Sequence, residues 1–105
     1  MRNPRYTYVW EYRVHANVAR EFLAAYGPEG SWAQLFRKAP GYIGTQLLQD
    51  VQERDRYLTV DHWETEAAFL AFRERHAQEF EALDRSCQAF TRHEVELGRF
   101  FEVLG

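Results

Sequence analysis

The chain has a single cysteine, Cys87, in 105 residues. One thiol excludes an intrachain disulfide and cannot build a cysteine-based zinc site; it reads as a small core residue. Proline and glycine are sparse, at three and six residues, and no linker, internal repeat or low-complexity segment interrupts the sequence. No apolar run approaches the roughly 18 residues of a membrane span. The opening stretch MRNPRYTYVWEY lacks the apolar centre of a signal peptide. The expectation is therefore a cytoplasmic protein with no membrane contact. Clustered Lys or Arg is also missing, and the net charge is -3, so the electrostatic footprint of a nucleic-acid binder is absent. The four histidines show no HxxxH, HxH or HExxH spacing, and there is no GxGxxG, P-loop or GxSxG. Neither a metal nor a common cofactor is called for.

Aromatic residues are plentiful instead: eight Phe, six Tyr and three Trp, 16% of the chain, within a composition that is 46% hydrophobic and 28% charged. Such a chain folds as one domain, residues 1–105. Aromatics give a small core a large buried area and also line pockets for flat ligands.

Residues 6–14, YTYVWEYRV, alternate so that Tyr6, Tyr8, Trp10, Tyr12 and Val14 share one face of a strand. A helix follows, carrying Val18, Phe22 and Tyr26, with Asn17 as its N-cap candidate and Gly27-Pro28 as its stop. Ser31 is placed to cap a second helical segment that Pro40-Gly41 ends. Residues 42–51 and 56–63 read as an antiparallel hairpin across the turn QERD. Gly44 suggests a bulge or a close backbone approach. Thr65 is placed to cap a long helical region whose stripe runs through Phe69, Phe72, His76, Phe80, Leu83, Cys87 and Phe90. That region admits a break near 77–79. Residues 95–103 form a fourth strand, bent at its glycine.

This order predicts an α+β, ferredoxin-like split β-α-β sandwich: an antiparallel four-stranded sheet with helices on one face. The other face, with Val9, Leu58 and Val60, needs a cover that one chain of this length lacks. A second copy supplies it, which predicts a homodimer, sheet against sheet, with Glu11, Arg13 and His62 paired or hydrated inside.

Alternation turns Thr59, Asp61 and Trp63 toward the helices, where Trp10, Tyr12, Phe69, Phe72 and His76 are also aimed. These residues predict a mostly apolar cleft for a small aromatic molecule. His76 or Tyr12 would deprotonate or hydrogen-bond it while it packs on Trp63, making these three the catalytic candidates; Trp10, Thr59, Asp61, Phe69 and Phe72 would line it. Each also has a plain packing reading, and a histidine on an apolar stripe is also what a satisfied core histidine looks like. Asp61 facing a packed layer requires a partner. His62 points the other way, and His15 and His93 read as surface residues.

The opening aromatic strand, PGYIGTQLL (40–48), YLTVDHWET (57–65) and AFLAFRERH (68–76) together resemble the antibiotic biosynthesis monooxygenase-like domains of the dimeric α+β barrel superfamily, over nearly the whole chain. The resemblance implies a ferredoxin-like homodimer. It implies cofactor-free oxidation of polyphenols to quinones or heme degradation, in a family that also has many members with no assigned activity; a ligand-binding or stress-related dimer without turnover is the alternative from another class. In the quinone-forming members a Trp ends the third strand, with an Asn four residues before it and a Tyr six after. Trp63 matches, but Thr59 and Phe69 stand at the other two positions. In the heme-degrading members an Asn, a Trp and a helix His frame the heme. Trp63 and His76 correspond, and the Asn position falls at about Tyr12.

Overall fold

The computed structural model describes residues 3–105; Met1 and Arg2, which open the N-terminal stretch read above, lie outside them. The elements are β1 (Tyr6–Val14), α1 (Ala19–Tyr26), α2 (Ser31–Phe36), β2 (Tyr42–Gln49), β3 (Arg56–Trp63), α3 (Glu66–Arg75), α4 (Ala77–Cys87) and β4 (Thr91–Phe101), with 3-10 turns at Ala16–Val18 and Gln88–Phe90. The strands pair antiparallel in the order β2-β3-β1-β4. This is the sheet that the split β-α-β pattern requires.

The period-two alternation of β1 decides which side chains meet the helices. Tyr6, Tyr8, Tyr12 and Val14 are buried, as are Tyr57, Thr59 and Trp63 of β3, and they pack on Phe22 and Tyr26 of α1, Trp32 and Phe36 of α2, and Phe69 and Phe72 of α3. Trp63 lies at the centre with no exposure. Its ring is 5.3 to 5.7 Å from those of Tyr42, Phe72, Phe69 and Phe36. Edge-on and tilted contacts of this kind add to the area term of burial.

Several local features differ from the sequence reading, each for a physical reason. β2 stops at Gln49 rather than residue 51, because the Asp50 carboxylate accepts from the backbone N–H groups of Gln52 and Glu53 at 2.8 and 3.0 Å and turns the chain. β4 begins at Thr91, four residues early, and ends at Phe101; its bend is a register shift opposite Val9 and Trp10, beside Gly98. Asn17 sits in a 3-10 turn and makes no capping bond. Ser31 is the first residue of α2, and Gly30 occupies the cap, where a Cβ would lie 2.6 Å from the Ala24 carbonyl oxygen. At Gly44 the bulge is present but the close approach is not, since nothing lies within 4 Å of an added Cβ. Thr65 does cap α3, accepting from the Ala68 N–H at 3.1 Å.

The long helical region is divided. His76, with φ -110 and ψ 29, separates α3 from α4, one residue before the break that the sequence admits.

No element among the described residues covers the opposite sheet face. By register it carries Val9, Leu58, Val60 and Leu48, with Val95 and Phe100 from β4, and Leu48, Val95 and Phe100 are exposed. Its polar members are already paired within the chain. Glu11 accepts from Arg56 at 2.5 Å, Arg13 bridges Glu53 and Asp55, and His62 joins Thr7 and Gln46.

Candidate functional site

Between the aromatic face of the sheet and the helices lies a cavity of about 320 Å³. Its walls are aromatic: Tyr8, Trp10 and Tyr12 from β1, Tyr26 from α1, Trp32 and Phe36 from α2, Phe69 from α3 and Phe80 from α4. Polar groups interrupt them at Thr45, Thr59, Asp61, Arg73, Asp84 and Glu94. A few convergent polar groups in a mostly apolar hollow are what orient a small ligand.

Asp61 is the feature that packing does not account for. Its carboxylate faces the cavity and is bonded by a single hydroxyl, Oγ1 of Thr45, at 2.6 Å. Tyr42 Oη lies 2.7 Å from that same Thr45 oxygen. A hydroxyl has one proton to give, so with Thr45 donating to the carboxylate, Tyr42 donates to Thr45. The three side chains form a directed chain ending at Asp61. Removal from water raises the Asp61 pKa to about 6, and the Thr45 hydrogen bond offsets this only in part. Such a carboxylate is largely ionised at neutral pH yet holds a proton far better than an ordinary aspartate.

The neighbouring groups titrate in the same environment. Burial pushes the phenol of Tyr12 well above its ordinary range, a hydrogen bond with Thr59 opposes the shift, and the charges of Asp61, Glu94 and Asp84 add to it. Tyr12 is therefore a neutral hydroxyl near neutral pH. Partial desolvation also raises the carboxyl of Glu94, an exposed residue of β4 that lines the cavity, with Thr91 lowering it and Asp84 raising it. Arg73 lies with its guanidinium carbon 3.8 Å from the Phe80 ring centre.

Of the residues expected from the sequence, Trp10, Tyr12, Thr59, Asp61 and Phe69 line this cavity, while Trp63, Phe72 and His76 do not. Trp63 is sealed in the core behind Phe69 and Phe36, and Phe72, also buried, turns toward the outer recess beside His76. His76 fails to reach the cavity because the break between α3 and α4 swings it outward. Its ring stacks against Phe72 on the far side, its Nδ1 lies 2.7 Å from Glu79, and Glu79 also accepts from Lys38. His76 instead lines a separate recess of about 360 Å³ with Ala39, Pro40, Ala68, Ala71 and Arg75. The sequence did not assign to the site the aromatic Tyr8, Tyr26, Trp32, Phe36 and Phe80 or the polar Thr45, Arg73, Asp84 and Glu94. For Tyr8 and Thr45 strand alternation held the signal; the rest depend on how the helices and β4 fold over the sheet. Among the described residues no group of three or more His, Cys, Asp or Glu is placed to hold a metal, and no helix is long and apolar enough to cross a membrane.

An antiparallel four-stranded sheet with helices on one face and an aromatic hollow between them defines an α+β sandwich. Residues 5–83 match the family model described as antibiotic biosynthesis monooxygenase, and the chain belongs to that family. Among solved structures it is similar to SnoaB, a cofactor-independent oxygenase from Streptomyces nogalater, with TM-score 0.74 and 20% identity, over 97% of this chain and 96% of that one. It is also similar to an arginine-to-serine mutant of MhuD with two manganese protoporphyrin IX bound per active site, with TM-score 0.67 and 26% identity, over 95% and 96% of the two chains. A curated relative, the mycobilin-producing heme oxygenase of Mycobacterium tuberculosis, is 39% identical over 59 residues. That alignment takes in 51% of this chain and 56% of the relative, so the chain spans little more than half of that protein's length.

Proposed function

We propose that the protein is a cofactor-independent monooxygenase acting on a phenolic aromatic molecule held in the sheet-helix cavity, with Asp61 as the general base. The observation that carries this reading is a carboxylate of raised pKa, tied only to Thr45, facing an aromatic hollow. A general base works best when its pKa lies near the operating pH.

The chemistry balances with dioxygen as the only co-reactant. Asp61 takes the phenolic proton, and the phenolate passes one electron to dioxygen. The phenoxyl radical and superoxide combine to form a carbon–oxygen bond. Loss of the ring proton and cleavage of the oxygen–oxygen bond then release water, so phenol plus dioxygen gives quinone plus water, a four-electron oxidation matched by a four-electron reduction. The aromatic walls exclude bulk water that would let superoxide escape. Tyr12 and Thr59 supply neutral hydroxyls to orient the ring, and Trp63 acts from behind by fixing Phe69 and Phe36. The test is oxygen uptake with a panel of hydroquinones, naphthols and flavonols, with ¹⁸O₂ to follow the inserted atom. Labelled quinone supports the reading, and uptake that yields only hydrogen peroxide contradicts it.

The uncovered sheet face supports a homodimer as part of the same reading.

A second reading, heme binding, is favoured by one feature. Lys38 and His76 hold the Glu79 carboxyl below its usual range, and that carboxylate lies 2.7 Å from His76 Nδ1, the arrangement in which a carboxylate orients a ligating imidazole and leaves Nε2 for a metal. In that reading His76 and Arg75 of the outer recess would hold the iron and a propionate, and bound heme would supply the centre at which oxygen is activated. A heme titration tests it: a Soret shift lost in His76→Ala supports this reading, and no shift in the wild type sinks it.

A further inference from the structure

The cavity is strongly asymmetric in charge. Three carboxylates, Asp61, Asp84 and Glu94, line it against one guanidinium, and that guanidinium is laid over Phe80. None of the three acids forms an ion pair among the described residues.

Strand register separates these acids into two ends. Asp61 stands opposite Tyr8 across the β1–β3 pair, and Glu94 stands opposite Tyr12 across the β1–β4 pair. They are thus four residues apart along β1 and two strand spacings apart across it, roughly 13 Å by 10 Å. Asp84 belongs to the Glu94 end, since its charge acts on Glu94. Between the ends run the faces of Tyr12 and Trp10, stacked at 22°, with Tyr26 and Trp32 above. Trp32 is 8% exposed and lines the cavity, and its indole N–H, which acts on the nearby Tyr26 phenol and Cys87 thiol, makes no hydrogen bond of full geometry among the described residues. A buried donor without an acceptor costs free energy that a ligand oxygen would recover.

Aromatic faces backed by carboxylates are the chemistry that recognises an organic cation. Resting on the reading of this cavity as the substrate site, we propose that its ligand is an elongated aromatic cation: a phenol whose hydroxyl meets Asp61 and whose far end carries a protonated amine between Asp84 and Glu94. Trp32 donates to an oxygen along its length. Dianionic or carboxylated aromatics are disfavoured, because they bring negative charge to an end that already holds two acids.

The test uses three isosteric probes that differ only in charge: 4-hydroxybiphenyl bearing a 4′-aminomethyl, a 4′-methyl or a 4′-carboxylate group. Binding to the intact protein is followed by tryptophan fluorescence under nitrogen, so that turnover plays no part. The amine is expected to bind roughly tenfold more tightly than the methyl compound, with the carboxylate weakest. The double variant Asp84→Asn, Glu94→Gln loses that preference and keeps its affinity for the methyl compound. Equal binding of amine and methyl, or tighter binding of the carboxylate, overturns the charge assignment and leaves the cavity as a site for neutral phenols. If none of the three binds, the cavity reading falls with it.

Discussion

The hydroxyl of Thr45 donates to the carboxylate of Asp61 at 2.6 Å across the β2–β3 pair. Desolvation pushes the Asp61 pKa up and this bond alone draws it down. The bond therefore helps set the pH at which the proposed base becomes active.

Thr45→Val removes that donor with little change in volume. A hydrogen bond to an ionised group is worth about 1.5–3 kcal/mol, so the Asp61 pKa should rise above 6 by roughly one unit or more. The acidic limb of the pH–rate profile for oxygen uptake should move to higher pH by that amount. A profile that does not move contradicts the assignment of Asp61 as the titrating base.

Asp61 also costs stability. Its folded pKa lies above the ordinary carboxylate value of 3.8, so below pH 4 both folded and unfolded forms are protonated and nothing is lost. Between pH 4 and 6 the unfolded chain gives up its proton while the folded one keeps it, and stability falls as pH rises. Above 6 the loss is complete, at about 2–3 kcal/mol. Asp61→Asn should accordingly raise the midpoint of thermal unfolding at pH 7.5 and leave it nearly unchanged at pH 4. Equal effects at both pH values would show that Asp61 is not held at a raised pKa.

Val60 sits at the middle of the uncovered sheet face, flanked by Val9 of β1 and Gln46 of β2. Val60→Asp places a charge where the proposed dimer would bury it, and an unpaired buried charge costs several kcal/mol. Sedimentation equilibrium should show a dimer for the wild type and a monomer for the variant. A monomeric wild type contradicts the dimer.

Most of the fold was legible because it follows from local rules. β1 and β3 alternate with period two, and both begin and end where that pattern does. The Thr65 cap and the order of elements settled the topology. Asn17 and Ser31 misled because a capping residue type does not show whether a tighter 3-10 turn or a crowded backbone has taken the position. The site was half legible. Strand alternation aimed Trp10, Tyr12, Thr59 and Asp61 at the cavity. His76 was misplaced because the stripe from Phe69 to Phe90 keeps its spacing across a break in the helix axis, and spacing alone does not register a change of direction. Asp84 and Glu94 were not legible, since their convergence depends on how α4 and β4 pack around Tyr12.

The measurement that bears most directly on the account is steady-state oxygen uptake by Asp61→Asn beside His76→Ala, on whichever phenol the wild type oxidises, with binding of that phenol followed separately under nitrogen. Asp61→Asn is expected to bind with nearly unchanged affinity while kcat falls by about 10²–10⁴, and His76→Ala should keep near-normal turnover. Full activity in Asp61→Asn, with activity lost in His76→Ala, would contradict the account and move the chemistry to the recess beside Glu79.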